Sequence, residues 1–138
     1  MTVHLLKKTV LTRLCVAVLV LAVHPPIALA ADDAAAGQKT FAVRCGSCHS
    51  TTSGEKKPGP TLAGVFGHES GSAAGFGYSP ALKNAHLTWD GATLDKWLQN
   101  PSGLVRGTTM FVNVPNSADR QNLIAYLRTL SSDTKASR

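Results

Sequence analysis

The stretch "FAVRCGSCHS", Phe41–Ser50, decides how this chain of 138 residues is read. It places Cys45, Cys48 and His49 close together in the spacing C-x-x-C-H. That spacing fits three chemistries: covalent attachment of a c-type haem, half of a zinc site, or a redox dithiol. The haem reading has a geometric reason. On a helical turn the two thiols share one side and can add to the two vinyl groups of a haem. The following residue then directs its imidazole at the iron.

Working outward, the segment "ADDAAAGQKTFAVRCGSCH" reads as a helix running into the motif. Asp32 and Asp33 suit its positive N-terminal end. Ala34, Ala35 and Ala36 favour helix. Gly37, Phe41, Cys45 and Cys48 recur at helical spacing and form one face.

Farther upstream, Lys7, Lys8 and Arg13 precede the apolar run Leu14–Val23. "HPPIALA" follows and ends on a small-x-small signal at Ala28–Ala30. This is the order of a cleaved secretory signal peptide, expected over residues 1–30. The run is about half the roughly 20 residues a spanning helix needs. Residues 31–138 then form a single exported domain, placed in the periplasm and without stable membrane insertion after cleavage. Lys+Arg falls from 14 to 11 against 8 Asp+Glu, so the net charge of +6 becomes about +3. No basic stripe interleaved with aromatics marks a nucleic-acid surface.

Removal of the signal peptide leaves Cys45 and Cys48 as the cysteines, Met110 as the methionine, and His49, His68 and His86 as the histidines. A closed zinc site wants four ligands. His49 follows Cys48 directly, so one metal can hardly use both with Cys45. His68 and His86 are too far apart for the usual pair. A catalytic dithiol normally sits on a βαβ scaffold, which this pattern lacks. Haem is favoured, and its iron needs a sixth ligand, for which Met and His are the usual choices. Met110 lies in an irregular loop between two helices and fits that role. His86, His68, and a plain gap-filling role for Met110 stay open at this point.

Downstream, Ser50–Gly77 is glycine-rich and aperiodic and reads as loop. Ser79 and Pro80 begin a short helix. Asp90 caps a helix with Leu94, Trp97 and Leu98 on one face, which Pro101 stops. Asn116 or Ser117 caps the strongest helix, with Leu123, Ile124, Leu127 and Leu130 in one stripe. The reading is all-α, with three main helices, one or two short ones and long loops. A core this modest needs something to pack on, and a large planar cofactor would supply it.

The chain also resembles the small soluble class I c-type cytochromes of mitochondria and bacteria. The resemblance rests on "GQKTFAVRCGSCH", "GPTLAGVFGHESGSAAGFGYSPALKNAHLTW", "TLDKWLQNP", "GTTMF" and "NLIAYLRTL", in the family's order and spacing. It implies the cytochrome c fold, with the helices and loops packed around one covalent haem c. Cys45 and Cys48 would form the thioethers, and His49 and Met110 the axial ligands. The Pro60 carbonyl would accept a hydrogen bond from the His49 ring. Tyr78 and Trp89 match positions that donate to a haem propionate. Gly37 and Phe41 match the contact of the first helix with Leu123 and Tyr126 on the last.

The chain departs from the family at His68, Phe76, Leu82 and Trp97, where polar or tyrosine side chains are common, and Phe111 follows Met110 one residue earlier than the usual aromatic. Its basic rim is thinner, with Arg44, Lys56, Lys57, Arg106 and Arg120 remaining. The resemblance implies a periplasmic one-electron carrier, not an enzyme, probing donor and acceptor redox proteins as a monomer. A tightly bound haem subunit of a periplasmic dehydrogenase, or a sensor with a labile distal ligand, are the alternatives.

Overall fold

The computed structural model describes residues 33–136. The expected signal peptide and Asp32 lie outside the described residues. The first helix, α1 (Ala34–Arg44), starts where Asp33 caps it. The Asp33 carboxylate accepts from the amides of Ala35 at 2.8 Å and Ala36 at 3.1 Å, which have no partner inside the helix. The Asp33 amide itself donates to Asn122 Oδ1 at 2.8 Å and so ties the start of α1 to the last helix.

α1 ends at Arg44, earlier than the sequence reading placed it. Cys45–Cys48 form a tight turn instead, with the His49 amide donating to the Cys45 carbonyl at 2.8 Å. Gly37, Phe41 and Cys45 are buried as expected, but Cys48 is exposed. The turn takes Cys48 off the helical face.

Three helices follow the long loop: α2 (Pro80–Lys83), α3 (Gly91–Gln99) and α4 (Pro101–Leu104). Ser79 caps α2 and Asp90 caps α3 through its bond from the Thr93 amide at 2.8 Å. Pro101 does end α3, but it also opens α4, which the sequence reading left irregular. Asn100 serves both helices. Its amide donates to the Lys96 carbonyl, and its side-chain oxygen accepts from the Gly103 amide at 3.0 Å.

The last helix, α5 (Ser117–Ala136), begins at Asn116, whose Oδ1 accepts from the Asp119 amide at 3.1 Å. α5 crosses α1 closely. A Cβ at Gly37 would overlap the Asn122 carbonyl, so glycine is what lets the two backbones approach. Beside it the Phe41 and Tyr126 rings pack tilted, centroids 5.6 Å apart. The core gathers Phe41 of α1, Leu94, Trp97 and Leu98 of α3, Val105, Val114, and Leu123, Ile124 and Leu127 of α5.

Among the described residues no strand forms. An isolated antiparallel bridge pairs Glu69 with Thr88 and closes the loop ahead of Trp89. The fold is all-α, with the helices ranged around one large cavity.

One expected surface charge is not on the surface. Arg120 is buried, at 6% exposure. Its Nε donates to Asp95 Oδ1 at 2.8 Å. A residue held this way serves the interior and offers no docking charge.

Candidate functional site

The turn after α1, the loop from Ser50 to Ser79, α3, the segment around Met110, and α5 enclose a cavity of about 850 Å³. That volume lies within the range of cofactor and ligand pockets. Every residue expected at the site lines it: Cys45, Cys48, His49, Pro60, Tyr78, Trp89 and Met110. Sequence separation brings none of these together except the motif itself, so the convergence is the fold's work.

His49 is held from behind. Its Nδ1 lies 2.8 Å from the Pro60 carbonyl, to which it donates in the tautomer that leaves Nε2 free to bind a metal. The loop that carries Pro60 is itself fixed. The Gly59 amide donates to the Cys48 carbonyl at 2.7 Å, and the Leu62 amide to the Ser50 carbonyl at 2.8 Å. Lys57 Nζ donates to the Gly46 carbonyl at 2.6 Å, which removes Lys57 from the free rim charges. A Cβ at Gly59 would come within 2.6 Å of His49 Cε1, so a side chain there would push the imidazole out of place. Buried Ser50 accepts from the Thr52 amide and donates to Glu55, closing the same loop. Sequence reasoning missed this serine; its small size and place beside the motif gave no signal of a buried network.

Cys45 and Cys48 are free thiols, not a disulfide. Burial pushes the Cys45 thiol up to about 11, and the nearby Arg44 offsets less of this than burial adds. A catalytic dithiol needs a lowered thiol pKa to attack as thiolate, so the redox-dithiol reading does not fit Cys45. Zinc fares no better. Among the described residues no three of His, Cys, Asp and Glu come together as a metal site.

Met110 faces the same cavity from the opposite segment. Its amide donates to Thr108 Oγ1 at 3.3 Å, and Thr108 is buried. His86 does not reach the cavity. It stands in solvent with a left-handed backbone, φ 48°, and pairs with Glu69 at 2.6 Å. That removes it as a rival for the distal position. His68 lines the cavity but is exposed at its edge.

Two tryptophans make much of the inner wall. Trp89 and Trp97 pack with centroids 5.2 Å apart, and both are buried. Both residues line the cavity. An indole N–H can only donate, so a group with acceptor atoms suits this wall. Tyr78 packs edge-on against Phe76, centroids 4.8 Å apart. Burial raises its phenol above the ordinary value, and the Ala73 amide beside it lowers it by less. Leu82 and Trp97 also line the cavity.

The cavity therefore suits a large planar, mostly apolar group with a metal and a few acceptor atoms. It offers an imidazole with a fixed tautomer, a thioether, two thiols beside the imidazole, and two indoles in its wall. A haem has those features.

Comparison with known proteins agrees. The family model for cytochrome c matches residues 34–131. The chain is 44% identical over 99 residues to cytochrome c of Euglena viridis, covering 71% of this chain and 97% of that one. It is 46% identical over 105 residues to cytochrome c2 of Rhodoblastus acidophilus, covering 75% and 97%. Among solved structures it superposes on cytochrome cH from Methylobacterium extorquens with a TM-score of 0.65 and 44% identity, covering 70% of this chain and 98% of that one. The chain belongs to the cytochrome c family, haem-based electron carriers with one covalently attached haem c.

Proposed function

We propose that this protein is a periplasmic one-electron carrier with His49 and Met110 as axial ligands and Cys45 and Cys48 as the thioether attachments. The observation that carries the reading is the convergence of these four residues on one cavity, with the His49 ring fixed by the Pro60 carbonyl at 2.8 Å. Bound there, the haem iron supplies a one-electron couple between the ferric and ferrous states. Pro60 holds the His49 tautomer and raises the basicity of the ligating nitrogen. Met110 contributes a neutral sulfur, which favours the less charged ferrous state. Trp89 and Tyr78 stand ready to donate to acceptor atoms at the cavity wall. Leu94, Leu98, Leu123 and Leu127 exclude water from it. With His49 and Met110 both holding the iron, the chain itself would take the positions a substrate would need, which suits a carrier and not an enzyme.

Export rests on the signal-peptide pattern of residues 1–30. Among the described residues no helix is long and apolar enough to cross a membrane. Arg44 lies at the cavity edge and is exposed, so it remains a docking charge. With Lys57 and Arg120 engaged internally, charge steering rests on few residues and encounters should depend only modestly on salt.

A second reading has its own observation. Phe111 and Val112 line the cavity mouth and are exposed, Phe111 at 78%. An apolar rim suits a haem subunit held by a periplasmic dehydrogenase better than a freely exchanging shuttle. Purification of the haem-loaded chain from its native periplasm separates the two. A monomer with a reversible one-electron wave supports the shuttle, and stable co-elution with a dehydrogenase supports the subunit. A loaded protein without a reversible wave would sink both.

A further inference from the structure

We infer that Arg120 is a positioning residue for Met110, fixing the far end of the segment that carries it. The inference rests on the reading of Met110 as the distal ligand.

Consider how that segment is held. At its start, Thr108 is buried and its amide donates to the Val105 carbonyl at 3.2 Å. From Thr109 to Asn113, the Met110 amide on Thr108 Oγ1 is the one backbone hydrogen bond made among the described residues. Side chains do not hold the middle down either, since Phe111 and Val112 are exposed. At the far end the chain is fixed again. Val114 is almost fully buried and its amide donates to the Leu98 carbonyl on α3 at 2.7 Å. Met110 is thus placed by two anchors with a sparsely bonded span between them.

Arg120 makes most of the second anchor. Its Nη1 donates to the Val114 carbonyl at 3.1 Å and to the Pro115 carbonyl at 2.8 Å. Its Nε donates to Asp95 on α3, and Gln121 supports the same carboxylate oxygen at 3.0 Å. One planar guanidinium therefore joins three parts: α5, α3 and the end of the Met110 segment.

The location makes this arrangement more than incidental. Arg120 lies near the N-terminal end of α5, where the helix dipole disfavours a cation. It is also buried, and a guanidinium stays charged. A buried charge persists only when its hydrogen bonds are met. Here the Val114 and Pro115 carbonyls and the Asp95 carboxylate meet them. A lysine could keep the charge but not the fork that serves carbonyls and carboxylate at once. Without Arg120 the two carbonyls lose their donor, and the far end of the segment is left to the Val114 amide bond on Leu98.

The test compares haem-loaded full-length wild type with Arg120→Met, Arg120→Lys and Tyr126→Leu. Tyr126→Leu removes a ring contact between α1 and α5 and leaves the Met110 segment untouched. Three quantities are read: the far-red sulfur-to-iron absorption of the ferric protein, the rate at which imidazole displaces that sulfur, and the thermal midpoint. Loss of two charge-assisted hydrogen bonds should speed displacement about tenfold or more in Arg120→Met, with Arg120→Lys between it and wild type. Tyr126→Leu should lower the midpoint with displacement close to wild type. Displacement at the wild-type rate in both Arg120 variants would overturn the inference. So would an acceleration in Arg120→Met that Tyr126→Leu reproduces at equal loss of stability. If Arg120→Met yields no folded holoprotein, Arg120→Lys decides, faster displacement supporting the inference and wild-type displacement overturning it. A wild type without the far-red band would instead remove the Met110 ligand reading, and this inference with it.

Discussion

On the His49 side of the cavity, the imidazole rests on the Pro60 carbonyl, Gly59 is bound to the Cys48 carbonyl, Leu62 to Ser50, and Lys57 to Gly46. On the Met110 side, the span from Thr109 to Asn113 is fastened at its ends, by Thr108 before it and by Val114 and Arg120 after it. The first wall fixes the tautomer of its imidazole and holds the ring in place. The second leaves the placing of Met110 to the anchors at the ends of its segment. The difference follows from residue type. An imidazole has a second nitrogen through which the fold can fix it, whereas a thioether has no such handle and must be placed by its backbone.

The largest effect should come from the residues proposed to join the cofactor to the firm wall. Replacing Cys45 and Cys48 together with Ala should abolish covalent haem, read as loss of pigment from the denatured chain. Pigment retained through denaturation would break the assignment of both thioethers.

Next come two glycines, one for each wall. Gly59→Ala would set a Cβ 2.6 Å from His49 Cε1 and 2.9 Å from the Cys48 carbonyl. It should cost about 2–3 kcal/mol by thermal or denaturant unfolding, because neither neighbour can yield easily. Gly107, ahead of Met110, has φ 90° and would meet Ala81 Cβ at 3.2 Å. Gly107→Ala should cost about 1 kcal/mol, chiefly from the left-handed backbone. Equal costs, or the reverse order, would erase the contrast between the walls.

Much of this was legible before any coordinates. Asp33, Ser79, Asp90 and Asn116 mark helix starts because each side chain satisfies an orphan amide, a local and strong signal. The stripe Leu123, Ile124 and Leu127 marked the buried face of α5. Arg120 lies on that same stripe, three and four residues before Leu123 and Ile124. Its charge argued for the surface, but its register argued for the core, and register won because partners were available. Pro101 misled in a different way. Proline both ends one helix and opens another, and Asn100 between them caps each. The placing of His86 outside the cavity had no local signal at all. It depends on how the Glu69–Thr88 bridge folds the loop.

The smallest effect concerns a residue outside both walls. Hydrogen bonds from Thr93, above all from its amide, hold the Asp90 carboxyl below the ordinary carboxylate range. A lowered folded pKa means its charge stabilises α3 above the ordinary carboxylate value and ceases to do so as pH falls through the lowered one. Asp90→Asn keeps an acceptor at the cap but not the charge. Its thermal midpoint should lie slightly below wild type at neutral pH and converge with it in acid. A gap that widens in acid would contradict the sign.

The central claim is that His49 and Met110 hold the same iron from opposite walls. The most direct measurement is the absorption spectrum of the haem-loaded protein, wild type beside Met110→Ala, ferric and then ferrous under carbon monoxide. The account predicts a far-red sulfur-to-iron band in wild type at neutral pH, and little carbon monoxide binding. In Met110→Ala the covalent haem should remain, the band should vanish and carbon monoxide should bind readily. A wild type without the band, or a Met110→Ala variant that keeps it and excludes carbon monoxide, would contradict the account.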